Sequence, residues 1–155
     1  MRLVKITIKS SIILISIMSL FSCTGQRPTS LGIHEGKLSA CPSSPNCVSS
    51  DASDEGHKVL PFQFNIPAAD AWQAARQAAL TLPRTTIITE TSDYIHAECS
   101  SAIFGFVDDL ELHLRPSNGI IAVRSASRLG YSDLGVNRKR VELLRSSLSK
   151  QAITE

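Results

Sequence analysis

No stretch of this chain is apolar for long enough to cross a bilayer as a helix. Its one sustained apolar run, residues 10–22, falls short of the roughly 20 residues such a helix needs. A Gly-x-Ser-x-Gly nucleophile elbow, a glycine-rich dinucleotide turn and a P-loop are all absent, which speaks against the enzyme classes built on them. Net charge is nearly absent as well. The formal +2 depends on Arg2, Lys5 and Lys9, and residues 23–155 carry 13 Lys/Arg against 14 Asp/Glu. A chain this close to neutral has no bulk attraction for nucleic acid or anionic lipid.

What is present starts at the N-terminus. A short basic stretch, an apolar segment of roughly ten residues and small residues before a cut site form a secretory signal. Leu20-Phe21-Ser22-Cys23 resembles a bacterial lipobox, in which the cysteine is acylated (palmitate among its chains) and becomes the new N-terminus. Residues 1–22 are therefore expected to be removed, leaving a lipoprotein of 133 residues, enough for one domain with one modest core. Thr24 after the cysteine, rather than an aspartate, favours the outer membrane facing the periplasm if the cell has one.

With Cys23 assigned to lipid, Cys41, Cys47 and Cys99 remain. An exported chain meets an oxidising compartment, so Cys41 and Cys47 are expected to form a disulfide, with Cys99 a small buried side chain. Zinc ligation by Cys41, Cys47 and His57 fits poorly, because the six-residue cysteine spacing exceeds the usual two to four. No metal or cofactor is expected. Residues 23–58 lack periodicity and read as a tether leading into the Cys41–Cys47 loop.

The folded domain is expected over residues 59–149, with 150–155 a tail. Val59 to Phe64 reads as a short edge strand, and Pro67 opens an alanine-rich helix that Leu82-Pro83 stops. Thr85 to Thr91 and Tyr94 to Ser100 read as a hairpin. Phe104 to Arg115 alternates strictly, with Phe104, Phe106, Leu110, Leu112 and Leu114 on one face. Asn118-Gly119 is a strong hairpin signal, and Ile120 to Arg128 is the partner strand. A two-residue loop there pairs Leu114 with Val123 and His113 with Arg124; a four-residue loop shifts the pairing but keeps the faces. Asp109 and Glu111 oppose Arg124 and Arg128 on the outer face as exposed ion pairs. The last helix begins near residues 134–137, with Val141, Leu144 and Leu148 as its apolar stripe. The order β-α-β-β-β-β-α implies an α+β domain: a twisted antiparallel sheet of about five strands with two helices on one face.

Charge is unevenly distributed. Residues 23–114 hold five basic and eleven acidic side chains, whereas residues 115–150 hold eight basic and two acidic. Either the halves pair their charges within one fold, or the second half contains a local anion site. Arg138, Lys139 and Arg140 fall in the first turns of the last helix, where the dipole is unfavourable to cations. Relief would come from Asp133, Asp108 or Asp109, or from a bound phosphate or carboxylate. Asp108 stands out because alternation puts it on the apolar face, where a carboxylate needs partners. Ser125, Ser127 and Ser132, with His34, His57, His96 and His113, supply the residue types of a hydrolase but not its motif. His113 reads as a solvated side chain in mid-strand.

Cys41-Pro-Ser-Ser-Pro-Asn-Cys47-Val-Ser-Ser50, Phe104-Gly-Phe-Val-Asp-Asp109, Arg124-Ser-Ala-Ser-Arg128 and Gly130-Tyr-Ser-Asp-Leu-Gly-Val-Asn-Arg138, continued to Arg140, together resemble a bacterial family catalogued as domain of unknown function 1499 (DUF1499). The resemblance runs from about Leu38 to Leu148. It implies an exported or membrane-attached protein and no particular activity. It also singles out Asp108, Asp109, Arg124, Ser125, Ser127, Arg128, Tyr131, Asp133, Asn137, Arg138 and Arg140 as one polar cluster. The expected function is a lipid-anchored envelope protein that binds a small anionic ligand or an envelope partner through that cluster, without catalysis and without nucleic acid. The alternative is an enzyme acting on an envelope component, with Asp108 or Asp109 as general base.

Overall fold

The computed structural model describes residues 25–150. Residues 1–24, with the expected signal segment and the expected lipidation at Cys23, and residues 151–155 lie outside the described residues. Strands β1 (Ile33–His34) and β2 (Lys37–Leu38) form a small hairpin, and β3 (Cys47–Ser49) and β4 (Phe62–Gln63) follow. Helix α1 (Ala68–Thr81) leads into β5 (Thr85–Glu90), β6 (Tyr94–Ser100), β7 (Val107–Arg115), β8 (Ile120–Ser127) and helix α2 (Val136–Lys150). The main sheet runs β3-β8-β7-β6-β5, with β4 also paired to β8, and every pairing is antiparallel. This is an α+β fold.

Both helices pack on one face of the sheet. Ala71, Trp72, Ala75, Ala78 and Ala79 of α1 and Val141, Leu144 and Leu148 of α2 meet Ile95, Ala97, Leu110, Leu112, Val123 and Ile121 in one core. Alanine recurs at helical spacing in α1, so the helix comes close to the sheet while keeping high helix propensity. Pro67 stands at its N-cap and Leu82 at its C-cap. Arg145 of α2 lies 4.9 Å from the Phe62 ring centre and donates to the Pro61 and Leu60 carbonyls, which fastens β4 to the helix.

The β7–β8 turn differs from a two-residue Asn-Gly hairpin. Arg115 pairs with Ile120 and Leu114 with Ile121. Pro116–Asn118 form a single 3-10 turn, and Gly119 takes a left-handed φ of 63°. In the two-residue register Pro116 would fall opposite Ile121 inside the ladder, where it has no N–H to give. The longer loop removes it, and Asp108 then faces Ser127, Leu110 faces Ser125 and Glu111 faces Arg124.

Two further expectations are revised. Phe104 and Phe106 do not belong to β7, which starts at Val107. Gly105 adopts a φ of 65° and turns the chain, so both rings are left exposed on a loop, 5.7 Å apart. Residues 25–58, expected as tether and loop, instead pack against the domain as a strap: residues 25–42 cover the sheet face opposite the helices, and the rest follows the β8 edge to the helix side, where the Gly56 and Lys58 carbonyls meet Arg138 of α2. Cys41 and Cys47 are bonded, and β3 joins the main sheet beside β8, with Val48 opposite Ser125. The strap has no periodicity because it docks through backbone amides and a few side chains rather than through an apolar face.

Replacing Cys41 and Cys47 together by serine is expected to cost about 2 kcal/mol, as the short loop they close implies. The loss should appear as a lower urea midpoint at unchanged m-value in equilibrium unfolding.

Candidate functional site: two polar networks on opposite sides of one sheet

The residues expected to form one polar cluster are divided by the sheet. Alternation along β7 sends Asp108 to the helix side and Asp109 and Glu111 to the strap side.

On the helix side, Arg140 Nη2 donates to Asp108 Oδ2 at 2.6 Å, and Arg140 Nη1 donates to Ser125 Oγ at 2.9 Å and Asn137 Oδ1 at 2.5 Å. Asn137 is fully buried. Its amide reaches the Asn46 carbonyl, Ser127 Oγ and Asp133 Oδ2 at 2.8–3.0 Å. Asp133 in turn accepts from the backbone amides of Gly135 and Asn137, capping α2. Those bonds outweigh the effect of burial and hold the Asp133 carboxyl below its usual range. Two of the three cations at the start of α2 are thus answered from within the protein: Arg140 by Asp108, and Arg138 by the carbonyls of Lys58 and Gly56.

On the strap side, Glu111 has no solvent exposure at all. Its Oε2 accepts from Arg124 Nη1 at 2.9 Å, and its Oε1 from Tyr94 Oη and the backbone N–H of Gly32, each at 2.8 Å. Burial, and then the adjoining Glu111 charge, push the Tyr94 phenol pKa up, so it stays a proton donor. Asp109 accepts from Arg128 through both oxygens, at 2.9 and 2.6 Å, and from His96 Nε2 at 2.8 Å. A carboxylate only accepts, so that imidazole nitrogen carries the proton. Arg128 also reaches Glu98 at 2.5 Å, where Arg27 of the strap arrives at 2.6 Å. Farther along, Arg115 grips Asp51 of the strap through two bonds.

Burial raises the Asp109 and Glu98 carboxyls, but bonds from Arg128, with His96 and Arg27 respectively, outweigh it and leave both below the ordinary range. The Arg128 guanidinium is correspondingly raised, first by its bonds to Asp109. These ion pairs are therefore not the exposed surface pairs that strand alternation suggested. His113 is likewise buried, not solvated, and desolvation followed by repulsion from Arg115 lowers its pKa. The alternation identified the polar face correctly but carried no sign of the strap that covers it.

The uneven charge has a direct structural counterpart. Arg115, Arg124, Arg128 and Arg140 from the second half pair with Asp51, Glu111, Asp109, Glu98 and Asp108 from the first. His96, Glu98 and Asp109 bring ligand atoms within 4.8 Å of one another, as a metal site would. The guanidinium of Arg128 sits among them, bonded to both carboxylates, and supplies the positive charge. Among the described residues, Arg124 Nε is a buried side-chain atom without a partner. Arg124 lines a cavity of about 330 Å³ beneath the strap, together with Asp109 and Arg128. Tyr131 takes no part in either network and is 76% exposed.

A second cleft lies at the end of the sheet where β6 and β8 finish. It measures about 300 Å³ and runs between α2 and the segment after α1, lined by Leu82, Val136 and Leu143, by Cys99 at the sheet, and by Arg84, Lys139 and Arg140. Asp108 forms part of its wall. Arg84 and Lys139 make no ion pair among the described residues; Arg84 Nε donates to the Ser100 carbonyl at 3.0 Å. The sequence singles out Lys139 only as one of three cations at the start of the last helix, and Arg84 not at all, because only the tertiary fold brings the end of α1 beside the start of α2.

A family model described as "Protein of unknown function (DUF1499)" matches residues 37–148. The chain belongs to this family. No curated protein matches it. The DUF1499 match begins inside the strap, at β2, and ends at the last buried leucine of α2, so it spans the strap's disulfide as well as both networks.

Two outcomes are expected. Glu111→Leu leaves Arg124 buried without its carboxylate and should cost about 3–5 kcal/mol. It also removes the acceptor for Gly32, so limited trypsin digestion should cut after Lys37, the strap's cleavable site (Arg27 precedes Pro28), well before the rest of the domain. The pH dependence follows from pKa values lowered on folding. His113 contributes stability that is complete above about pH 6.5 and is lost as pH falls through its lower folded value. Asp51, Glu98, Asp109 and Asp133 do the same below about pH 4. Urea midpoints measured from pH 8 to 2 should therefore fall in two stages, with His113→Gln abolishing the upper one.

Proposed function

We propose that this protein is a lipid-anchored component of the bacterial cell envelope whose DUF1499 domain binds an anionic ligand without catalysing a reaction. The address is supported by the lipobox-like Leu20-Phe21-Ser22-Cys23 after a basic and apolar leader. The binding role is supported by one observation above all. The groups that chemistry would need are committed to internal bonds, while the cleft beside Asp108 and Arg140 is open, apolar along its length and flanked by the unpaired cations Arg84 and Lys139. Such a lining suits a molecule with an anionic head and a short apolar body.

The anion contacts expected at Arg124, Arg128 and Arg138 carry less of this reading. The first two face carboxylates and the third faces backbone carbonyls. Asp109 makes a poor general base, since three bonds hold its carboxyl well below the range a base needs at neutral pH. Asp108 borders the cleft, but Arg140 occupies its Oδ2 and no histidine lines the same space.

Titration of decyl phosphate followed by calorimetry tests the cleft. Binding should be measurable, and Arg84→Ala and Lys139→Ala should each weaken it about tenfold, the equivalent of losing a charged hydrogen bond. Lys139→Ala should melt like the parent, and Arg84→Ala should lose no more than the roughly 1 kcal/mol of its one exposed hydrogen bond to the Ser100 carbonyl. Equal affinity in parent and variants would place binding elsewhere.

A further inference from the structure

At the end of the sheet where β6 and β8 finish, two neighbouring loops expose large apolar side chains. Ile103 and Phe104, on the β6–β7 loop, are 83% and 71% exposed; Tyr131 and Leu134, on the β8–α2 loop, are 76% and 94% exposed. The loops adjoin, because Phe106 of one and Leu129 of the other line the same depression. Residues 101–107 contain no charged side chain. The one carboxylate between residues 128 and 136, Asp133, is turned inward to cap α2. Arg84 and Lys139 stand at the rim of this end.

Isolated apolar residues on a surface are ordinary, but a contiguous group on loop tips, edged by cations and with the neighbouring Asp108 and Asp133 bonded to Arg140 and to the backbone of α2, needs an explanation. The beginning of the described chain provides one. Gly25 packs directly against Arg128 and Leu129, and its φ of 67° and the closeness of Arg128 Cβ leave no room for a side chain there. The strap is thus fixed at the same end as the exposed loops. Cys23 precedes Gly25 by two residues, a reach of only about 7 Å even when fully extended. Acyl chains on Cys23 would enter the membrane beside these loops, not at the end of a long tether.

We infer that the face formed by Ile103, Phe104, Leu129, Tyr131 and Leu134 rests in the lipid bilayer, so that the domain lies on the membrane in one orientation. This deepens the anchoring reading and depends on it for the position of Cys23. The apolar tips would sit about 5–10 Å into the headgroup and acyl boundary, with Arg84 and Lys139 level with the phosphates. The cleft mouth shares Ser101, Ala102 and Val136 with this end of the molecule, so an amphiphile could pass into it from the lipid.

The test uses the mature protein in phosphatidylethanolamine–phosphatidylglycerol vesicles, labelled with an environment-sensitive fluorophore at Phe104→Cys, Leu134→Cys or Leu60→Cys. Leu60 is exposed beside β4, which pairs with the opposite end of β8; Cys99 is buried and Cys41 and Cys47 are bonded. Labels at 104 and 134 are expected to brighten several-fold, shift to the blue and be quenched by shallow nitroxide lipids, while the label at 60 stays as in water. Water-like emission at 104 and 134, or the same response at all three sites, overturns the inference. Intact mass read on the same preparation reports acylation at Cys23 separately: a bare cysteine defeats the anchoring reading, and the labels, then placed in a Cys23→Ser background so that no other free accessible thiol reacts, still decide whether this face meets lipid.

Discussion

The fold depends on a strand that is buried on both sides for opposite reasons. One side of β7 carries leucines into the helical core, and the other carries Asp109 and Glu111 into a space that water scarcely reaches. Burying a carboxylate costs several kcal/mol, and each charged hydrogen bond returns roughly 1.5–3 kcal/mol. Glu111 collects three such bonds and Asp109 three, so the two sides of the balance come out similar. The network is therefore a weak source of net stability. It acts on what else the chain is allowed to do.

Register is the clearest case. Sliding β8 by two residues against β7 keeps every leucine facing the helices, so apolar burial does not distinguish the two pairings. Charge does. The observed register puts Arg124 opposite Glu111, whereas the slipped one would put it opposite His113 and leave a fully buried carboxylate without its cation. Pro116 adds a second penalty to the slipped form by entering the ladder without an amide hydrogen. A buried ion pair and a proline thus settle a choice that the hydrophobic pattern leaves open.

This also explains what was legible in the sequence. Elements whose partners lie within a short span of chain were readable: the alanine-spaced helix, the Tyr94–Ser100 strand and the Val141-Leu144-Leu148 stripe all match the structure. So did the isolation of Asp108 on an apolar face, answered by Arg140 of α2. The strap was not readable. Its docking relies on the backbone amide of Gly32 and on Arg27 and Asp51 meeting residues 64 to 79 positions away, and none of these leaves a periodic trace. Without the strap, the polar side of β7 and β8 reads as an ordinary solvated face. The division of the resembling motifs into two networks was hidden for the same reason: a list of polar residues does not show that a sheet passes between them.

A covered sheet changes the meaning of the N-terminus as well. If residues 25–58 were a free tether, the domain would stand away from the lipid anchor proposed at Cys23 and its orientation would be arbitrary. Because Arg27 and Gly32 are bound to Glu98 and Glu111, Gly25 is held at a fixed place, against Leu129. An attachment point fixed to the body transmits orientation, and a long flexible one does not. The charged face of the sheet therefore has a consequence well beyond its own packing: by holding the strap, it decides which end of the domain lies nearest Cys23, and that is the end that carries both the exposed apolar loops and the open cleft.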